Sequence, residues 1–389
     1  MMTNEEYWFW LCNIKGIYQH DIKKLLYHFK DPKEIYAANA KTLAQAGILN
    51  KNKIIAILSS KSEKETRAGL AKIREKNIKF IYPDSDLYPE RLRCLEDMPY
   101  SLYVLGNLPS EDLMSVGIVG ARSCTGYGRD CAEKIAFRLA QRDVQIISGL
   151  AVGIDSAASR GALRANGISF AILGSGIDVI YPKENIGLYY DIIETGGGII
   201  SEYPMGTPPI AWQFPHRNRL IAAFSDVLTV IEAAQRSGSL TTASHMLDIG
   251  KDVYALPGRI YDAMSVGCNS LIADGAGMIY DINEFTEHIT VMYHLYDEDL
   301  PDENECSQDN ENAKIKQTSN KHTGTLMKMH TYIKKEYSEI YDKLEYEPLN
   351  VSMIAEKTGL KVEKIIEGLT QLELEGMVVH ISGGYYMKS

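Results

Sequence analysis

What the chain has little of narrows its function first. Six cysteines (Cys12, Cys94, Cys124, Cys131, Cys268 and Cys306) are scattered over 389 residues and none forms a Cys-x-x-Cys pair. That spacing gives neither a zinc site nor a disulfide framework, and reduced thiols in a cytoplasm fit it. No apolar run reaches the roughly 18 residues that a membrane helix needs. The opening Met-Met-Thr-Asn-Glu-Glu is acidic, so no secretory signal is expected. No G-x-x-x-x-G-K-[ST] occurs, which argues against an ATPase and leaves no cofactor indicated. Positive charge is not in excess either: 41 Lys and Arg stand against 51 Asp and Glu, a formal net charge of −10. This excludes a body coated in positive charge for non-specific DNA binding, but not a local basic groove. Much of the acid lies in the run Asp-Glu-Asp-Leu-Pro-Asp-Glu-Asn-Glu at 297–305.

What is present is ordinary globular material, 45% hydrophobic and 24% charged, in a length that suits two or three domains. Residues 1–80 have a helical pattern. It opens on Tyr7-Trp-Phe-Trp-Leu11, continues with apolar Ile22, Leu25, Leu26 and Phe29, and is capped again at Asp31-Pro32. Two short helices around Gly16 resemble a helix-hairpin-helix or SAM-like module. Tyr18 stands where that hairpin usually repeats its glycine, so a packing role is expected ahead of DNA contact. Across 81–290 short apolar strands alternate with amphipathic helices, which signals an α/β core: a parallel sheet with helices on both faces. The strands are expected at 116–119, 144–147, 170–173, 199–202, 227–231 and 253–256, with a short one at 103–105 and a helix over 127–141. Residues 291–322 read as an acidic linker. Residues 323–389 show three helical stretches and a Gly-Gly hairpin, the pattern of a winged helix. The third of these helices carries Glu363, Glu367, Glu373 and Glu375 against Lys361 and Lys364. That charge would repel phosphate, so protein contact or packing is expected of it.

The chemistry concentrates in loops. Phe-Pro-His-Arg-Asn-Arg at 214–219 is expected where a loop becomes a helix starting near Leu220. Cations, an amide and a ring at a helix N-terminus suit an anion, a nucleotide or a nucleic-acid strand. Arg217 and Arg219 paired with carboxylates over a core Phe214 is the other reading of the same residues. Four glycine-rich turns follow the expected strands, where ligands bind in open α/β sheets. The first, from Gly117 to Gly128, has the wrong spacing for a dinucleotide fingerprint and holds Arg122. The second holds Ser148, Gly149 and Asp155, the last suited to a helix cap, a sugar ligand or a general base. The third holds Lys183, a phosphate contact or a solvated lysine. The fourth, after Glu232, clusters Ser237, Ser239, Thr241 and Thr242 at a helix start. Arg122, Lys183, Arg217, Arg219 and Arg236 together could line one basic trough.

In the order Val119-Gly-Ala-Arg122, Ser148-Gly-Leu-Ala-Val-Gly-Ile-Asp155, Gly174-Ser-Gly-Ile-Asp178, Ile200-Ser-Glu-Tyr-Pro204, Phe214-Pro-His-Arg-Asn-Arg219, Gly238-Ser-Leu-Thr-Thr-Ala243, Ala255-Leu-Pro-Gly258 and Gly267-Cys-Asn-Ser-Leu-Ile272, the chain resembles the bacterial DNA-processing protein A family, also called Smf. The resemblance implies an extended Rossmann-like core between a helical module and a winged helix. It implies a homodimer that binds and protects incoming single-stranded DNA in natural transformation, helps load the RecA recombinase, uses no ATP and cuts nothing. Carried onto this chain, Arg122 would grip a phosphate, Arg217, Asn218 and Arg219 would line the trough, Phe214 would stack on a base, and Lys183 would be a further contact. Ser148, Gly149, Ser239, Thr241 and Thr242 complete the expected site. A second hypothesis is an enzyme: the same core resembles that of nucleotide phosphoribohydrolases, with Glu202 and Glu232 as acids or bases. Against it, Ser237-Gly-Ser-Leu-Thr-Thr replaces the Pro-Gly-Gly-x-Gly-Thr loop of those enzymes.

Overall fold

Short runs that are apolar on both faces become buried parallel strands. In the computed structural model, which describes residues 2–292, 338–344, 349–374, 378–381 and 385–388, the strands are β1 (Lys79–Ile81), β2 (Leu102–Gly106), β3 (Ser115–Val119), β4 (Gln145–Ser148), β5 (Ser169–Leu173), β6 (Gly198–Ser201), β7 (Val227–Val230), β8 (Asp252–Ala255) and β9 (Gly277–Met278). They form one nine-stranded sheet in the order β1-β2-β6-β5-β4-β3-β7-β8-β9. From β6 to β9 every neighbouring pair is parallel. β2 runs antiparallel to β6 and β1 antiparallel to β2. The chain winds from β3 outward through β4 and β5 to β6, then returns to the other side of β3 for β7. The crevice that this reversal opens at the strand C-termini is where open α/β sheets hold ligands.

The helices Gly126–Ala140 and Ile154–Arg164 cover one face of the sheet. They bury Ile135, Ala136, Leu139 and Ala158 against Val116, Ile118 and Ile146. They approach closely because residue 161 is glycine; a Cβ there would run into the Glu133 carbonyl oxygen. The other face is covered by Gln213–Phe224 and Gly238–Asp248, with Leu220, Phe224, Ala243 and Met246 in its core.

The Gln213–Phe224 helix starts seven residues before Leu220, where the sequence puts the helix start. Pro215 disguises this. It lies in the first turn, where its missing N–H has no intrahelical partner to lose. Residues 214–219 therefore belong to the first two turns of a helix and not to a loop.

The N-terminal region is six helices: Asn4–Cys12, Gln19–Phe29, Pro32–Ala37, Ala40–Gln45, Lys51–Ser59 and Glu63–Glu75. Thr3 and Glu6 close a capping box on the first, and Asp31 caps the third with Pro32 next in line. From Tyr7 to Leu11 the first helix is apolar all round because it lies between two cores. Tyr7, Trp10 and Leu11 join Ile22, Leu25 and Phe29 on one side. Trp8 and Phe9 meet Leu70, Ile73, Phe80 and Tyr103 on the other. The β1 strand straddles residue 80, where the sequence reading divides module from core.

The described C-terminal residues form a unit of their own, within 301–389. Helices Ser338–Lys343, Val351–Thr358 and Val362–Leu374 pack with a three-stranded antiparallel sheet of β10 (Leu349–Asn350), β11 (Val378–Ile381) and β12 (Tyr385–Lys388). Ile340, Leu349, Ile354, Ile365, Leu369 and Leu372 make its core. Three helices followed by a hairpin are a winged helix. The acidic linker from residue 293 onward, Glu375 and the Gly383-Gly384 turn lie outside the described residues. Among the described residues no helix is long and apolar enough to cross a membrane.

Candidate functional site

A cleft of about 550 Å³ opens at the reversal point of the sheet. Its walls come from the loops after β3 (Gly120, Arg122) and β4 (Ala151), the starts of the helices Ile154–Arg164 (Asp155) and Gly238–Asp248 (Gly238, Ser239, Thr242, with Ser237 before it), and the Gln213–Phe224 helix. That helix contributes Phe214, Arg217, Asn218 and Ile221. The spacing i, i+3, i+4, i+7 places all four on one side of it.

Phe214 is the centre of an aromatic and cationic cluster. The Arg122 guanidinium carbon lies 5.2 Å from its ring centroid, a cation–π distance. The Tyr181 ring lies 5.6 Å away, inclined by 44°. Gly174 leaves room for Phe214; a Cβ at 174 would stand 2.9 Å from the ring. Arg122 is exposed and Phe214 half-buried, so a cation and an aromatic surface face incoming solute together.

The floor is more rigid. Arg217 is buried, and its Nη1 donates to the carbonyls of Gly149 (3.0 Å) and Ile172, while Nε donates to Asn218 Oδ1 at 3.2 Å. It thereby ties the ends of β4 and β5 to the helix. Burial draws its pKa down to about 10, against the pull of Asp155, so it still carries charge at neutral pH. Gly149 separates these two side chains; a Cβ there would meet Arg217 at 2.6 Å and Asp155 at 2.7 Å. Asp155 Oδ2 accepts from the Gly149 and Ala151 N–H groups at 3.1 and 3.4 Å. It lies inside the first turn of the Ile154–Arg164 helix, whose N-cap is Gly153, so it ties down the preceding loop and is not the expected helix cap. Burial pushes its pKa up, and Arg217 with those two N–H groups offsets part of this.

The remaining wall is a helix N-terminus. Ser237 caps the Gly238–Asp248 helix through the Ser239 N–H. Asn218 Nδ2 donates to the Gly238 carbonyl at 3.0 Å. Thr242, buried against the cleft, has a hydroxyl with no partner. A positive dipole end and an unsatisfied hydroxyl favour an anion there.

Arg122, Phe214, Arg217, Asn218, Ser239 and Thr242 of the expected residues thus come together in the cleft. Others stand elsewhere. Arg219 is two residues past Arg217, which turns it to the opposite side of the helix. There it is buried in an ion pair with Glu202 (2.7 Å) and bonds Asp97 (2.8 Å). Ser148 is buried and donates to the Ile118 carbonyl at 2.7 Å. Gly149 lies behind Arg217, Thr241 is half-buried outside the cleft lining, and Lys183 and Arg236 are exposed outside it. Trp212, 53% exposed, packs edge-on to Tyr203 and His216.

The two carboxylates of the enzyme hypothesis are also engaged outside the cleft. Glu202 holds Arg219, and Glu232 accepts from the Thr125 N–H (2.8 Å) and hydroxyl (2.5 Å) to pin the Arg122 loop. Tyr181 is the cleft residue that the sequence reading passed over. Its signal was its place in the third glycine loop, two residues before Lys183.

A family model described as DNA recombination-mediator protein A matches residues 79–290, and one for the DprA winged helix domain matches 334–384. Protein Smf of Escherichia coli is 32% identical over 384 residues, 99% of this chain and 96% of its own. The X-ray structure of DNA processing protein A from Streptococcus pneumoniae superposes with a TM-score of 0.62 at 30% identity, covering 74% of this chain and 98% of that one. DNA processing protein A from Helicobacter pylori, whose structure is described for its single-stranded DNA binding mode, matches at TM-score 0.51 and 31% identity, over 56% of this chain and 98% of its own.

Proposed function

Because the chain belongs to the DNA recombination-mediator protein A family, we propose that its cleft binds single-stranded DNA, and that it does so as a mediator without a bond-breaking step. The observation that carries this is the cleft helix, which offers a ring, a guanidinium and an amide in one stripe opposite a helix N-terminus. A strand needs these two things side by side. Bases stack on Phe214 and Tyr181 at about 1–3 kcal/mol each, and phosphates meet Arg122, Arg217, the Gly238 N–H and the Thr242 hydroxyl. A duplex keeps its bases stacked inside and offers the rings nothing.

The relative from Helicobacter pylori described as binding single strands supports this reading. Protection of incoming DNA in natural transformation, loading of RecA and a homodimer through the sheet core remain part of the proposal on the family resemblance. The net charge of −10 fits a strand held in a local groove and not over the whole surface.

Equilibrium binding of fluorescent oligo-dT, and of a duplex of equal length, across a salt series tests it. The single strand should bind far more tightly, with an affinity that falls steeply as salt rises. Arg122→Ala should weaken it about tenfold or more. Equal affinity for duplex and single strand, or a salt-independent affinity, would contradict the proposal.

A further inference from the structure

We propose that the N-terminal helical module carries a second contact for the same strand, on the outer face of the Gln19–Phe29 helix. The proposal rests on the reading of the cleft as a single-strand site. Its first support is charge. Residues 13–62 hold nine lysines against three acidic side chains, a net charge of +6 within a chain of −10. Some of these lysines are structural: Lys53 pairs with buried Asp21 at 2.6 Å, and Lys61 donates to the Ala38 carbonyl. Lys15, Lys24 and Lys30 are exposed, and no carboxylate among the described residues forms an ion pair with them.

The second support is where rings stand among these charges. Ile22, Leu25 and Phe29 turn inward, so His20, Lys24 and Tyr27 fall on the opposite side of the helix. Tyr27 is 89% exposed and Tyr18 is 57% exposed. The Tyr18 ring lies nearly parallel to that of His20, at 15° with centroids 6.2 Å apart. Ammonium groups beside open aromatic faces suit phosphates and bases in alternation. An acidic protein segment would use the lysines and leave the rings idle.

The third support is continuity with the cleft. Gln19, at the start of this helix, accepts from Arg219 Nη2 at 3.3 Å and donates to the carbonyls of Asp97 and Met98. Arg219 lies on the side of the cleft helix turned away from the cleft, so this contact seats the module on the back of that helix. On the surface, Trp212 touches His216, and His216 lies 3.7 Å from Asp97. The acids along this path are engaged: Asp97 by Arg219 at 2.8 Å and Glu96 by Lys23 at 3.3 Å. In this proposal a strand leaving the cleft past Trp212 runs over Asp97 and Gln19 to Tyr18, Lys24 and Tyr27.

The test compares oligo-dT of about 6 nucleotides, which fills the cleft alone, with oligo-dT of about 30 nucleotides, on the full chain. Lys24→Glu combined with Tyr27→Ala changes two exposed side chains. It should weaken the long strand about tenfold or more and make its salt dependence shallower by about one unit of log–log slope, with the short strand unchanged. Unchanged long-strand affinity would overturn the proposal. So would an equal loss on both lengths, because the face would then act on the cleft instead of extending it. Arg122→Ala keeps the two readings apart. If it leaves short-strand binding intact, the cleft assignment fails, whatever the module variant does.

Discussion

Two arginines separated by one residue do opposite jobs here. Arg217 faces the cleft, and Arg219 pairs with buried Glu202, which half-buried His216 also touches, and with exposed Asp97. Residue types alone placed both on one wall. The helix separates them, since positions i and i+2 do not share a face. The stripe Phe214, Arg217, Asn218 was legible only once the stretch was recognised as helical, and Pro215 hid that. The buried pair has a consequence for stability. Burial alone would raise Glu202, but Arg219 and His216 outweigh it and hold the pKa at about 2, below the ordinary 4.5. A carboxylate depressed in the folded state stabilises fully above its unfolded pKa, and this is lost as pH falls toward the folded one. Between about pH 5 and pH 3 the parent should lose roughly 2 kcal/mol of unfolding free energy beyond what Glu202→Gln loses. Urea melts of both proteins across that range would show it. Parallel pH profiles would refute the coupling.

At the scale of elements, strand positions were the most readable part of the chain. The six core strands appear within a residue or two of their expected bounds, because runs such as Val-Leu-Thr-Val at 227–230 are apolar on both faces. Of the antiparallel edge, β2 (Leu102–Gly106) was expected at 103–105, but β1 was not seen. A three-residue strand such as Lys79–Ile81 has too little pattern to announce itself. Helix spacing also rests on details the pattern does not weigh. Gly161 lets Ile154–Arg164 lie against Gly126–Ala140, with a Cβ blocked by the Glu133 carbonyl. Gly161→Val should therefore push the two helices apart and cost about 1–3 kcal/mol. Thermal denaturation should show a clear fall in melting temperature, and an unchanged melt would mean that the helices tolerate the extra volume.

On the scale of the whole molecule, an acidic chain concentrates its usable positive charge in a few places. The cleft gathers Arg122 and Arg217, and the N-terminal module adds its lysines. The winged helix presents Glu363, Glu367 and Glu373 as exposed side chains beside Lys361 and Lys364, as its sequence suggested. Order along the chain was readable from the glycine loops, since each follows a strand. That these loops could share one trough was legible too, but not which residues face it: the reversal that brings β7 back beside β3 leaves Lys183, Arg219 and Arg236 outside the cleft. The central claim is that this cleft holds a single strand of DNA. A crystal structure of the protein with a short oligo-dT tests it most directly. The account predicts a base stacked on Phe214 and a phosphate at the Gly238–Asp248 helix N-terminus within reach of Arg122; an ordered oligonucleotide bound elsewhere, with the cleft empty, would contradict it.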